Sequence, residues 1–238
     1  MKQLLENKKI VVAGGTSGIG LALVSMLSEE GADITAFGRD PNKVGAMKDQ
    51  LPLVRVLALD ARDRAALDNL FAQEAPIDHL VLALSGAKGG GAFADLALSE
   101  LREGFESKFW PQLQTVQAAL PYMRHGGSIT FITAISATAK LPGTAGLAAI
   151  NGALELMVPI LSKELKPLRV NAVSPGVIDT AWWDFLPSAA KQQVFTDMSA
   201  QVGVGRVGRP EEVAAVIRTI ILTEYINGVV IGCHGGMS

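Results

Sequence analysis

The sequence predicts an α/β fold of the Rossmann type, a doubly wound parallel sheet of about seven strands with helices on both faces. Short apolar runs alternate with longer segments of helical periodicity, which is typical of parallel strands joined by helical crossovers. A glycine-rich turn also follows the first apolar run and leads directly into a helical pattern. That combination is typical of a phosphate-binding loop in a doubly wound sheet.

Seven short runs rich in β-branched and aromatic residues predict the strands. In chain order these runs cover residues 10–12, 33–37, 54–59, 79–84, 128–133, 169–173 and 229–231. Six longer segments, most of them beginning with Ser, Thr, Asp or Pro, predict the helices between them. They cover residues 18–30, 41–50, 63–74, 99–124, 144–166 and 210–223. The stretch 174–208 has no clear periodicity and is predicted to be an irregular segment that covers a substrate.

Length and composition are those of an ordinary globular domain, and residues 1–238 are predicted to form one. About half of the chain, 49%, is hydrophobic, and the net charge is -2 without a long run of either sign. Charge therefore predicts no nucleic-acid or membrane partner and leaves a small-molecule substrate as the expectation. Charged residues interrupt the apolar segments, so no membrane span is predicted. The single cysteine, Cys233, cannot form an internal disulfide, which favours a cytoplasmic location. No metal site is predicted.

The glycine loop is the first candidate site. Its spacing is Gly14-x-x-x-Gly18-x-Gly20, and it follows the strand that begins at Ile10. Glycine allows a tight turn and a close approach to an anion, and the following helix offers unpaired N–H groups to a pyrophosphate. The loop therefore predicts a dinucleotide cofactor.

Arg39 bears on the choice between the two nicotinamide dinucleotides, NAD(H) and NADP(H). In dinucleotide sites a carboxylate about 20 residues after the first glycine accepts the ribose hydroxyls, whereas an arginine suits a 2′-phosphate. This chain has Gly38 and Arg39 in that place. A guanidinium is a permanent planar donor for phosphate, so NADP(H) is favoured over NAD(H). The alternative is that Arg39 is a solvated turn residue paired with Asp40.

Several further motifs stand at the ends of the predicted strands. Asp60 ends the third strand, Ser85-Gly86 ends the fourth, and the stretch 171–176 ends the sixth. With the stretches 206–212 and 232–236, these motifs resemble the short-chain dehydrogenase/reductase family along nearly the whole chain. The resemblance implies hydride transfer between a nicotinamide and a carbonyl or alcohol, and a homodimer or homotetramer assembled through segments 99–124 and 144–166. It also implies a set of cofactor-binding residues: Gly14, Thr16, Ser17, Gly18, Ile19, Gly20, Arg39, Asp60, Ala61, Ser85, Gly86, Pro175, Gly176, Val177, Ile178 and Thr180.

The chain departs from the family where proton transfer is expected. The family's tyrosine and lysine positions fall on Leu147 and Asn151, its serine position falls on Ala134 just after Thr133, and its asparagine position falls on Lys108. Asparagine and lysine are thus exchanged, which makes Lys108, Asn151 and Thr133 the candidate catalytic residues. The alternative for Lys108 is an ordinary exposed position on its helix.

No tyrosine elsewhere in the sequence is predicted to replace the one missing from the family's position. The chain's two tyrosines, Tyr122 and Tyr225, are predicted to be packing residues too far from the nicotinamide to act on it. Two functions from different classes therefore stay open. One is an NADP(H)-dependent oxidoreductase with an altered active site, which reduces or oxidises a small carbonyl, alcohol or activated double bond. The other is a catalytically inactive NADP(H)-binding sensor or scaffold.

An aromatic cluster follows the predicted nicotinamide loop. Trp182, Trp183 and Phe185 are close together in the sequence. They predict an apolar lid over the substrate, with packing on the core or an oligomer contact as alternatives.

Overall fold

A computed structural model describes residues 4–237 as one seven-stranded sheet with helices on both faces. Its strands are all parallel and run in the order β3-β2-β1-β4-β5-β6-β7. They are β1 (Lys9–Ala13), β2 (Asp33–Gly38), β3 (Arg55–Ala58), β4 (Ile77–Leu82), β5 (Met123–Ile132), β6 (Arg169–Pro175) and β7 (Val230–Cys233). The fold class predicted from the alternating pattern is confirmed.

Within residues 4–237, eight α-helices connect the strands. They are α1 (Gly18–Glu29), α2 (Pro41–Gln50), α3 (Arg64–Glu74), α4 (Leu98–Gly104), α5 (Trp110–Ala119), α6 (Ala145–Glu164), α7 (Ser188–Ser199) and α8 (Pro210–Leu222). Residues at the N-terminus explain where several of these helices begin. Asp40 and Asp63 each accept a hydrogen bond from a backbone N–H of the first turn of α2 and α3, and Pro210 occupies the first turn of α8.

The central strand β1 shows why the sheet is covered on both sides. Ile10 and Val12 point into the core formed with α1 and α8, while Val11 and Ala13 point into the core on the opposite face. All four are fully buried. A parallel strand that is buried on both faces is a continuous apolar run, as this one is in the sequence.

The topology positions the functional cleft. The chain builds β1, β2 and β3 in one direction and then returns to β4 on the other side of β1. The loops after β1 and β4 therefore leave the sheet in opposite directions. In open parallel sheets this divergence creates a crevice at the carboxyl ends of the strands, where ligands bind.

The long predicted helix 99–124 is interrupted in the structure. After α4 a π-helical turn, Phe105–Phe109, precedes α5, and a short 3-10 turn, Leu120–Tyr122, follows it. The chain then enters β5 at Met123, five residues before the predicted strand. Pro121 has no N–H to donate to a continuing α-helix. The spacing of Ala and Leu predicted a helix through this residue, because apolar spacing does not depend on whether a backbone N–H is present.

The stretch 174–208 was predicted to be irregular and instead contains α7. The helix begins after Pro187 with Ser188-Ala189-Ala190, followed by Lys and Gln, and only Phe195 within it is buried. Its start signal and its strong helix formers were present in the sequence. The weak apolar periodicity concealed it, because a helix with one buried residue has almost no apolar stripe.

The expectation that charged residues interrupt every long apolar segment does not hold for one helix. In the described part of the chain, α6 is long and apolar enough by length and composition to cross a bilayer, with a hydropathy of 1.5. It packs against β6 as a core helix, and its buried positions include Ile150, Leu154 and Val158. A core helix of this kind meets the same criteria as a membrane span.

His79 is a buried titratable group of the sheet, and it predicts a pH dependence of stability. Its Nδ1 lies 2.8 Å from Ser128 Oγ, and burial lowers its pKa to about 4 although Asp78 opposes the shift. In the unfolded chain the imidazole has an ordinary pKa near ~6.5 and so takes up a proton first as pH falls. Between pH 6.5 and 4 this group is therefore expected to cost the folded state up to about 3 kcal/mol.

Urea unfolding at pH 7 and pH 4 checks this expectation in wild type and His79→Gln. The glutamine retains a polar contact for Ser128 and does not titrate. The variant should therefore lose less stability than wild type between pH 7 and pH 4. Equal losses in the two proteins would contradict the assignment of this pH dependence to His79.

Candidate active site

The glycine loop is shaped by contacts that leave no space for side chains. A Cβ atom on Gly14 would lie 2.5 Å from Ala83 O, and one on Gly20 would lie 2.2 Å from Gly14 O. Gly14 and Gly18 also have φ angles of 76° and 53°, which favour glycine. Helix α1 begins at Gly18, and Ser17 at its N-cap makes no side-chain hydrogen bond to the first turn. The first N–H groups of α1 therefore point to the cleft as unsatisfied donors for an anion.

Two adjoining cavities occupy the cleft. One has a volume of about 470 Å³ and extends from the glycine loop to the ends of β5 and β6, and the other, of about 570 Å³, extends from the glycine loop to the ends of β2 and β3. They share Ser17, Lys43, Ala83, Leu84 and Ser85. We call them the inner cavity and the outer cavity.

All sequence-predicted site residues line one of these cavities. The inner cavity contains Ser17, Gly18, Ile19, Gly20, Ser85, Gly86, Lys108, Thr133, Asn151, Pro175, Gly176, Val177, Ile178 and Thr180. The outer cavity contains Gly14, Thr16, Ser17, Arg39, Asp60, Ala61 and Ser85. Segments far apart in the sequence are thus brought together at one edge of the sheet.

The outer cavity is rich in cations. Arg39, Lys43 and Arg62 line it, and Arg39 is exposed. Arg62 donates to Asp60, with its Nη2 2.6 Å from Oδ2, and this hydrogen bond holds the pKa of Asp60 below its usual value. Sequence reasoning did not select Lys43 or Arg62, because neither belongs to a motif.

The predicted alternative for Arg39 was a pair with Asp40. In the structure Asp40 Oδ1 accepts a hydrogen bond from Asn42 N at 2.9 Å, as the N-cap of α2. Among residues 4–237 no ion pair joins Asp40 to Arg39. The guanidinium therefore remains accessible at the cavity.

Lys108 lies at the inner cavity, and the alternative of an exposed lysine is wrong. It belongs to the π-helical turn and is 8% exposed. Its Nζ donates to Thr133 O at 3.0 Å. Burial lowers the pKa of Lys108 to about 8, although the charge of Glu155 opposes the shift. A π-helical turn inserts one extra residue into a helix and is common at functional sites.

Asn151 presents a buried acceptor at the same cavity. Its Nδ2 donates to Leu147 O at 2.9 Å and to Ser136 Oγ at 3.1 Å, which identifies the other amide atom as the oxygen. This Oδ1 is buried and has no hydrogen-bond partner among the described residues. A buried acceptor without a partner is costly, so a ligand that donates to it gains free energy.

Thr133 lines the inner cavity, but its hydroxyl is already engaged. Oγ1 donates to Glu155 Oε1 at 2.7 Å, and Val173 O lies 3.2 Å away. A hydroxyl has one proton to donate. The carbonyl oxygen of Thr133 therefore accepts from Lys108, and its hydroxyl donates to Glu155. Neither partner could be predicted from the sequence.

The walls of the inner cavity are largely apolar. Ala134 and Leu147, which the resemblance aligns with the family's serine and tyrosine positions, line it directly. Neither Tyr122 nor Tyr225 lines either cavity. The prediction that both tyrosines pack in the interior was wrong for Tyr225, which is fully exposed.

Two tryptophans close one side of the inner cavity. Trp182 and Trp183 meet edge to face with ring centroids 4.7 Å apart, and Phe185 packs on Trp182. Each indole N–H is held by the backbone: Trp182 donates to Gly86 O at 3.3 Å and Trp183 donates to Ile178 O at 3.0 Å. The pair forms a fixed aromatic wall across the cleft.

Comparisons with known proteins agree with this geometry. The profile of a family described as Enoyl-(Acyl carrier protein) reductase matches residues 13–238. The 3-oxoacyl-[acyl-carrier-protein] reductase of Thermotoga maritima is 29% identical over 98% of this chain and 98% of its own. Among solved structures, a small-chain dehydrogenase in complex with NADPH has a TM-score of 0.85 at 27% identity and covers 98% of this chain and 99% of its own. The MalC reductase/Diels-Alderase of Malbranchea aurantiaca has a TM-score of 0.89 at 27% identity, with 99% and 98% covered.

Proposed function

The chain belongs to the short-chain dehydrogenase/reductase family, and from this premise we propose that it is an NADP(H)-dependent oxidoreductase with an altered active site. Its substrate is a small carbonyl compound, alcohol or activated double bond. The observation that carries the proposal is the buried ammonium of Lys108 at the wall of the cavity that begins at the glycine loop. A binder without chemistry has no need of a buried charge there, because burying it is costly.

Three features support NADP(H) as the cofactor. At Gly14 and Gly20 the glycine loop approaches neighbouring backbone too closely for a Cβ atom, as a pyrophosphate cradle requires. Arg39, Lys43 and Arg62 line the outer cavity, where a 2′-phosphate would meet several cations. Asn151 Oδ1 is a buried acceptor without a partner, which suits a ligand hydroxyl or amide in the inner cavity. When bound, the nicotinamide supplies or accepts the hydride.

Lys108 is the general acid of the proposed reduction and the general base of the reverse oxidation. With a pKa of about 8 it is mostly protonated at neutral pH and yet gives up a proton readily. In carbonyl reduction the ammonium donates a proton to the substrate oxygen as the hydride reaches the carbonyl carbon, and the resulting amine regains a proton from water. Its hydrogen bond to Thr133 O holds Nζ in place for this step. In the oxidative direction the neutral amine accepts the proton.

The cavity walls support a small, largely uncharged substrate. Leu147, Ala134 and the two tryptophans are apolar lining residues. Lys108 can donate a proton to a reacting oxygen, while Asn151 Oδ1 can accept a hydrogen bond from a substrate hydroxyl. Exclusion of water by such walls strengthens a charge–oxygen contact.

We also propose a cytoplasmic homodimer or homotetramer. Leu156 and Ile160 on α6, and Trp110 on α5, are exposed apolar side chains on the two segments through which the resemblance implies assembly. Exposed apolar groups concentrated on neighbouring helices support a contact between copies of the chain.

The first experiment measures nucleotide binding and turnover of acceptors in one protein preparation. Purified protein is titrated with NADPH and NADH by fluorescence, and the NADPH complex is then offered aldehydes, quinones, diketones and enones while NADPH absorbance is followed. Tight NADPH binding with turnover of an acceptor is the expected result. Binding without turnover of any acceptor favours the alternative, an inactive sensor or scaffold. Failure to bind either nucleotide would overturn the proposal.

Arg39→Gln is expected to separate the two nucleotides. Loss of a guanidinium that meets a 2′-phosphate costs about 1.5 to 3 kcal/mol, so NADPH should bind roughly 10- to 100-fold more weakly. NADH affinity should change little. Arg209→Gln is a suitable control, since Arg209 is exposed and lines neither cavity. Equal loss of both nucleotides in Arg39→Gln would argue against a 2′-phosphate contact.

A further inference from the structure

Glu155 is a carboxylate on α6, one helical turn after Asn151, and it lies behind the wall of the inner cavity. Its Oε1 accepts hydrogen bonds from Thr133 Oγ1 at 2.7 Å and from Ser174 Oγ at 2.9 Å. Glu155 thereby joins α6 to the ends of β5 and β6. It does not line the cavity itself, so it does not contact a ligand there.

Thr133 connects Glu155 to Lys108. The carbonyl oxygen of Thr133 accepts from Lys108 Nζ at 3.0 Å, and its hydroxyl donates to Glu155. The ammonium and the carboxylate thus contact different atoms of the same residue. The arrangement orients both charged groups, because rotating either one breaks a hydrogen bond to Thr133.

Glu155 is also the charge that opposes deprotonation of Lys108. Burial alone lowers the pKa of the ammonium, and the attraction of Glu155 partly restores it. The other polar groups that these elements bring to this region are the neutral side chains of Asn151, Thr133 and Ser174. On the lysine's own helical segment Glu103 and Glu106 are exposed.

The other charged side chains that line the inner cavity are Lys43 and Lys88, and Lys43 lies exposed on α2. Lys88, on the loop after β4, pairs with Glu100 of α4 at 3.0 Å, and about half of each side chain is exposed. In the described chain Glu155 is therefore the carboxylate placed to act on Lys108 through the protein interior, where charges are screened less than at the surface.

We propose that Glu155 is a positioning residue that keeps Lys108 protonated and oriented through their shared contact with Thr133. This inference rests on the proposed role of Lys108 as the proton donor. It adds a second charged residue to the site, one that acts on the donor and not on the substrate.

Glu155→Gln tests the proposal, since the amide oxygen still accepts hydrogen bonds while the charge is removed. We expect the pKa of Lys108 to fall below its value of about 8, because the charge that raises it is gone. At pH 8, close to that pKa, the protonated fraction then drops, so NADPH-dependent turnover should fall. At pH 6 both proteins are almost fully protonated and turnover should be nearly unchanged.

A direct measurement makes the outcome independent of turnover. The pKa of Lys108 is read by NMR titration of protein labelled with ¹³C at the lysine ε-carbons, and the signal is assigned by its absence in Lys108→Met. If wild type proves inactive, the proposed function fails while this titration still decides the influence of Glu155. If wild type is active and Glu155→Gln leaves the pKa of Lys108 unchanged, only the present inference fails.

Matched variants separate charge from general damage. Glu164→Gln removes an exposed carboxylate of the same helix and should change neither the pKa of Lys108 nor the pH profile. Glu155→Asp retains the charge on a shorter side chain and should give an intermediate pKa, and it replaces Glu155→Gln if the latter does not fold. Loss of turnover by the same factor at pH 6 and pH 8 would overturn the proposal, because it would mean that Glu155 is structural.

Discussion

Lys108→Met is expected to lower kcat/KM for the carbonyl substrate about 100- to 1,000-fold at pH 7, the usual contribution of a positioned general acid. Methionine has a similar length and an apolar end, so it fills the buried space without the ammonium. NADPH affinity should change little, because Lys108 contacts the reacting oxygen in our proposal and not the phosphates. Steady-state kinetics at saturating NADPH, with the best acceptor from the panel, provide the measurement.

Stability distinguishes loss of chemistry from loss of folding in this variant. Burial lowers the pKa of Lys108, which means that the folded state disfavours its charged form at neutral pH. Removal of the charge should therefore leave the thermal midpoint unchanged or raise it. Lys163→Met, at an exposed position of α6, should change neither quantity. Wild-type turnover in Lys108→Met would exclude Lys108 as the proton donor.

Gly20→Ala is expected to abolish measurable NADPH binding and to destabilise the fold by about 3 kcal/mol or more. The added Cβ would lie 2.2 Å from Gly14 O and 3.0 Å from Gly15 Cα. Both are backbone atoms, so relief of the clash requires the glycine loop to move away from α1. The phosphate-binding N–H groups would then lose their common orientation. Urea unfolding and an NADPH titration measure the two effects.

Gly45→Ala is the matched control for this substitution. Gly45 lies within α2, and a Cβ there meets no atom within 4 Å. Because alanine is a better helix former, the control should gain about 0.5 to 1 kcal/mol and bind NADPH as wild type does. If Gly20→Ala also bound NADPH with wild-type affinity, the close packing of the glycine loop would not be needed for the cofactor.

Much of the fold could be predicted because its signals are local. The seven apolar runs and the glycine loop are each contained in a few consecutive residues, and the positions of the predicted cofactor residues followed from motifs at strand ends. The π-helical turn around Lys108, the end of α5 and helix α7 were not predicted because their signals are weak. A π-helical turn, a proline effect at residue 121 and a helix with a single buried residue leave little trace in apolar periodicity.

The candidate catalytic residues show the limit of sequence reasoning more clearly. Comparison with the family placed Lys108 and Asn151 in exchanged positions, yet the sequence left a buried and an exposed lysine equally open. Arg62 and Lys43 carried no motif, so the cationic lining of the outer cavity was only partly predicted. The burial and position of these side chains depend on residues that surround them in space, which are not their neighbours in the sequence.

The sequence by itself determined the seven strands and the tight turn of the glycine loop, since each depends on residue type and short-range geometry. Only the tertiary structure decided that Lys108 is buried, that its pKa is lowered, and that Glu155 opposes that shift. The contacts responsible join Lys108 to Thr133 across 25 residues and Thr133 to Glu155 across 22. Desolvation and charge attraction act through space, so they appear only when the folded sheet brings these separate segments together.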